Sequence, residues 1–162
     1  MEQIKELGKT EALTLANFIL KHYGPMSHLK LQKLLYYCEA YHLAYFNRSI
    51  IDEEFQAWIH GPVCRRVYDE MKAESILYSD IAFDNNSNPD YEIETNLTSD
   101  QKQLLKDVLE ILSTWTGFEL ETSTHKEAPW INARRGFGPA DRCDTNISKE
   151  EMKEFYKNEL NG

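Results

Sequence analysis

Hydrophobic periodicity changes twice between residues 27 and 71, and the changes predict the central elements of the chain. Residues 29–46, LKLQKLLYYCEAYHLAYF, place large apolar and aromatic side chains on every side of a helix. Stepped at about 100° per residue, the polar positions Lys30, Gln32, Lys33, Glu39 and His42 do not gather into one sector. A helix apolar all round is one that other elements bury, so this segment predicts a central helix, with Ser27 as its N-cap. Residues 54–60 then alternate with period two, Phe55, Ala57 and Ile59 against Gln56, Trp58 and His60, which predicts a strand. Gly61-Pro62-Val63 reads as a turn, with Pro62 in the first turn of a short helix whose stripe is Val63, Val67, Tyr68 and Met71.

The same patterning extends to both sides. Leu13, Ala16, Ile19, Leu20 and Tyr23 share one face of an earlier helix, which Gly24-Pro25 ends, with glycine suited to a left-handed C-terminal position. Strand-like pieces at 81–83 and 91–93, within residues 76–95, flank the turn-rich run Asn85-Asn86-Ser87-Asn88-Pro89-Asp90 and predict a hairpin. Thr98 and Gln101 have capping-box spacing ahead of an amphipathic stripe of Leu104, Leu105, Val108, Ile111, Leu112 and Trp115, with Gly117 at its end. A short helix follows at 118–123, and Pro129 opens another that Gly136 closes after Arg134 and Arg135. Ser148 and Glu151 form a second capping box for a final helix at about 148–160, lined by Met152, Phe155, Tyr156 and Leu160. The expected fold is mainly α (α+β): a single helical domain over 1–162, around a central buried helix, with a small antiparallel β-sheet or hairpin.

Charge and cysteine content narrow the class. The chain carries 27 acidic and 18 basic side chains, a formal charge of −9. That field repels a phosphate backbone and disfavours nucleic acid, whereas it raises the encounter rate with a basic protein. The three cysteines, Cys38, Cys64 and Cys143, cannot all pair within one chain. With a polar, charged opening and no apolar run long enough for a membrane span, reduced thiols in a cytoplasm are the simplest account. Generous Tyr and Trp leave room for self-association.

Candidate chemistry is thin. Cys38 and His42 sit four apart on a helix, a spacing that suits a metal, but no second paired set accompanies them. Cys64 and His60 share that spacing across the Gly-Pro break, where no helical face is defined. A buried thiol and a half-buried imidazole are therefore favoured over a metal site, and no cofactor is expected. No glycine-bracketed nucleophile or phosphate-cradling loop is present. A small metal-dependent or hydrolytic enzyme using His42, His60 or His125 is the rival class; the expectation is that the chain is not an enzyme. Arg65-Arg66 and Arg134-Arg135 with Arg142 stand out against the acidic background as solvated charge or as an interface rim. In HKEAPW, residues 125–130, Trp130 reads as packed inward and His125 stays open between core and surface.

Three runs together resemble the Panacea domain family, which includes SocA-like antitoxins and phage-associated proteins of the GepA type. The first contributes Leu31, Gln32, Lys33, Leu34, Tyr36 and Tyr37; the second Ala57, Trp58, Gly61, Pro62 and Val63; the third Thr124, His125, Pro129 and Trp130. The resemblance covers about 12–136, and His60 departs from the Tyr or small polar residue usual before Gly-Pro. It implies a cytoplasmic, non-enzymatic antitoxin that binds a cognate toxin directly. The alternative it implies is an adaptor that delivers the toxin to a cytoplasmic protease. Under that reading Leu31, Lys33, Leu34, Tyr36, Tyr37, Gly61, Pro62, Val63, Pro129 and Trp130 are scaffold. Trp58, His60, Arg65, Arg66, Tyr68, His125, Arg134 and Arg135 are the candidate partner-binding residues, with no catalytic and no metal-binding residue assigned.

Overall fold

The computed structural model describes residues 6–71 and 77–161. The first five residues of the polar opening and Ile76, where the expected hairpin region begins, lie outside them. Helix α1, Ala12–Tyr23, buries Leu15, Ala16, Ile19 and Leu20. It stops at Gly24, whose N–H donates to the Leu20 carbonyl. Gly24 is extended (φ −100°, ψ −173°), not left-handed as expected. Glycine is needed there for space, since a Cβ would stand 2.8 Å from the Leu20 oxygen.

After strand β1, Met26–Ser27, the central helix α2 runs His28–Phe46 with Ser27 Oγ accepting from the Lys30 N–H. Fifteen of its 19 residues are buried, and it packs against four other helices. The scatter of its polar positions has a physical reason: each serves a different neighbour. Gln32 Oε1 accepts from the Cys64 N–H at 2.8 Å, and Lys33 Nζ donates to the Pro62 carbonyl at 2.9 Å. Glu39 accepts from the Ile50 N–H at 2.8 Å and from Lys149 Nζ at 2.7 Å. His42 Nδ1 donates to the Arg48 carbonyl at 2.6 Å while Nε2 accepts from Gln101 at 3.0 Å. With both ring nitrogens engaged, His42 has no lone pair left for a metal.

Strands β2, Gln56–Trp58, and β3, Gly61–Val63, form an antiparallel ribbon with Ala57 opposite Pro62. Pro62 therefore lies in a strand and not in the first helical turn expected of it. The pair is one that needs no proline N–H. Ala57 turns its N–H to the Thr145 carbonyl and its carbonyl to Arg134, away from β3, so no ladder bond is missed. Val63 is buried in the ribbon, and helix α3, Arg65–Met71, buries Val67 and Met71.

Strand β4, Asp80–Ile81, pairs with β1 across the molecule. The expected hairpin at 81–93 is absent, because residues 91–93 belong to helix α4, Pro89–Asn96. Pro89 is the reason: it starts that helix at its first turn, where its missing N–H costs nothing. Helix α5, Ser99–Leu112, has the reciprocal Thr98–Gln101 capping box. Its buried line is Gln101, Leu105 and Leu109, while Ile111 and Trp115 at the end of the expected stripe are exposed. Helix α6, Gly117–His125, opens at Gly117 instead of α5 closing there, because Thr116 as N-cap and Glu119 in the first turn form a capping box across its start. Helix α7, Ala128–Ala133, begins with Pro129 near its start, and helix α8, Lys149–Asn161, lays Met152 and Tyr156 on α2. Leu160, at the end of the expected line on that helix, is half exposed. The fold is mainly α with two small antiparallel ribbons among the described residues. All three cysteines are buried and free.

Candidate partner-binding site

The three sequence motifs meet under the β2–β3 ribbon. Gly61, at φ +102°, leaves room for the aliphatic end of Lys33: a Cβ there would stand 2.5 Å from Lys33 Cε and 2.9 Å from Thr124 Oγ1. Only glycine relieves both the left-handed backbone and the clash. From the third motif, Trp130 Nε1 donates to the Trp58 carbonyl at 2.8 Å, and the His125 ring stacks on Trp130 with centroids 4.2 Å apart. Lys33 is wholly buried, and desolvation pulls its ammonium down to about 7, with Glu121 opposing. The motif residues are thus a clamp that holds the ribbon on α2 and α6.

Behind the clamp lies a tyrosine cluster. Tyr37 and Tyr156 both donate to Glu127 Oε1, at 2.7 and 2.8 Å, and the Tyr156 and Tyr36 hydroxyls lie 3.1 Å apart. Burial raises the Glu127 carboxyl and all three phenols, while the bonds from Tyr37 and Tyr156 favour the Glu127 carboxylate and hold it in place.

Above the ribbon an open cleft of about 410 Å³ is lined by Trp58, Ile59, His60, Arg65, Tyr68, Arg142, Cys143 and Asp144. Trp58 and Tyr68 meet edge to face at 4.9 Å, and the Arg65 guanidinium lies 5.9 Å over the Trp58 ring. His60 Nδ1 donates to Glu121 Oε1 at 2.9 Å, and the Tyr78 hydroxyl sits 3.2 Å from Nε2. Arg65 is also ion-paired with Asp69 at 3.3 Å. Aromatic faces beside arginines suit contact with a protein side chain or a carboxylate.

Four of the eight candidate residues, Trp58, His60, Arg65 and Tyr68, line this cleft. Arg66 faces solvent near Glu70, 3.9 Å away. His125 stands below the ribbon; burial lowers its imidazole, and its Nε2 is buried without a partner. Arg134 is 5% exposed and donates to the carbonyls of Ala57, Gly138 and Asp141, so it ties the loop after α7 to β2 and leaves no free face for a partner. Its neighbour Arg135 is exposed and bonds Asn132 at 3.0 Å. Among residues not assigned beforehand, Ile59, Cys143 and Asp144 also line the cleft. They come from a turn and an irregular segment, where no periodicity marks a face.

Cys38 and Cys64 are pushed up by burial, so neither is a poised thiolate. No group of three or more metal-ligating side chains occurs among the described residues. No helix among them is long and apolar enough to cross a membrane.

Comparison with known proteins supplies the remaining link. No curated protein and no solved structure matches the chain. A family model described as antitoxin SocA-like, Panacea domain, matches residues 31–131, which hold all three motifs and run from α2 into α7. That match covers more than half of the sequence, so the chain belongs to the SocA-like antitoxin family with the Panacea domain.

Proposed function

We propose that this chain is a cytoplasmic antitoxin that neutralises one cognate toxin by binding it directly, without catalysis. The observation that carries the reading is family membership over residues 31–131. The open cleft supports it, because it is the place where aromatic and cationic candidate residues converge on one surface. The clamp beneath is scaffold, and partner choice belongs to the side chains that change without disturbing it: Arg65, Arg66, Tyr68 and Arg142.

Co-expression with the protein encoded beside it should restore growth, and the two should co-purify. Reversing charge in the cleft with Arg65→Glu and Arg142→Glu should weaken that complex by about tenfold or more while the fold is kept. A toxin that stays lethal and unbound overturns the reading. Sequestration leaves toxin levels unchanged, whereas a toxin that disappears only when a cytoplasmic protease is present assigns the chain to delivery instead.

A further inference from the structure

A second surface, away from the cleft residues, carries features that scaffold alone does not require. Between α6 and α8, a groove of about 550 Å³ is walled by Trp115, Phe118 and Phe155. Phe118 is 73% exposed and Trp115 37%, two large aromatics left in water on the wall of one groove of an acidic chain. Such aromatics, next to a groove, mark interaction surfaces. The rim is acidic: Glu119, Glu127 and Glu159 face the groove against a single lysine, Lys126.

Glu127 sharpens the chemistry. Its Oε1 is saturated by Tyr37 and Tyr156, but Oε2 has only a long 3.5 Å contact from Ser123 Oγ. A carboxylate held rigid by two phenols, with one oxygen under-used in an aromatic-walled groove, suits a cationic side chain. Its ammonium or guanidinium can meet the oxygen and lie over the rings together. A second copy of this chain fits poorly, since two molecules of charge −9 repel.

We propose that this groove docks a basic, amphipathic segment of the toxin, with a lysine or arginine at Glu127 and an apolar side chain among Trp115, Phe118 and Phe155. This rests on the antitoxin reading above. The test uses the full chain and the purified product of the adjacent gene. A photo-crosslinking residue at position 118 should join a Lys/Arg-rich segment of that protein. The double variant Phe118→Ser/Glu159→Lys should bind about tenfold or more weakly, while Phe118→Tyr binds like wild type. Wild type that binds while the double variant binds within about twofold overturns the groove and leaves the antitoxin reading standing. So does crosslinking to an acidic segment. A wild-type dimer that Phe118→Ser dissolves gives the groove to a second copy and overturns the proposal. Wild type that fails to bind at all overturns the antitoxin reading, and this inference with it.

Discussion

Lys33 is the residue on which the ribbon rests, and burial makes it sensitive to pH. Its pKa falls from 10.5 to about 7 because the ammonium is desolvated, with its bond to the Pro62 carbonyl keeping the head group placed. Between those values the unfolded chain holds a proton that the folded chain has released. Stability therefore rises with pH across that window, and the penalty is fully present below about 7. His28 and His42 act in the same direction lower down: burial takes each from 6.5 to about 4, so each loses stability as pH falls from 6.5. Glu39 and Glu127, raised by burial, oppose the trend. For that reason the informative measurement is a difference between variants. The denaturant stability of wild type relative to Lys33→Met should gain about 2 kcal/mol from about pH 7.5 to 9.5. Parallel pH profiles would show that Lys33 keeps its proton in the fold.

At the scale of elements, α8 is held on α2 by a cation that bridges two segments. Lys149 Nζ donates to Glu39 Oε2 at 2.7 Å and to the Ile51 carbonyl at 2.9 Å, and Glu39 is 0% exposed. Removing the cation leaves a buried carboxylate with the Ile50 N–H but no counter-charge. Lys149→Ala should therefore cost about 3–5 kcal/mol in thermal or denaturant unfolding. Glu39→Met/Lys149→Met should recover most of that loss, since a packed apolar pair does not carry the desolvation penalty. A double variant no better than the single one would show that the pair, and not the orphaned charge, sets the cost. Most helices of this architecture were legible because their signals are local: Ser27, Thr98 and Pro129 act within one turn. The strand over 54–60 was legible too, from its period-two alternation, but its partner at 61–63 and the pairing of β1 with β4 were not. Pro62 lies in a strand because Ala57 directs its polar groups to Thr145 and Arg134, each more than seventy residues away. Residues 91–93 look strand-like by composition, yet Pro89 starts a helix there that packs on α1. The cleft was half legible for the same reason. Trp58 and Tyr68 follow from the periodicity of β2 and α3 and Arg65 from its basic pair, whereas Asp144 reaches it through an irregular segment that docks on β2.

For the whole molecule, the two candidate surfaces carry opposite local charge within one acidic field. The cleft presents Arg65 and Arg142, while the groove presents Glu119, Glu127 and Glu159. A partner that meets the molecule at long range feels the net −9 first. At an ionic strength of about 0.15 M the screening length is about 8 Å, so salt removes that long-range attraction while packed contacts at the aromatic walls persist. The partner that fits both is a net-basic protein with a basic segment for the groove and an acidic or carboxylate group for the cleft. Association with the toxin should then slow by about tenfold as ionic strength rises from about 0.05 to 0.5 M, with dissociation changing by less than about threefold. Stopped-flow or surface-immobilised kinetics separates the two rates. Association that speeds up with salt would mean that the partner is itself acidic, and the attraction assigned to the −9 field would be repulsion that the local contacts overcome.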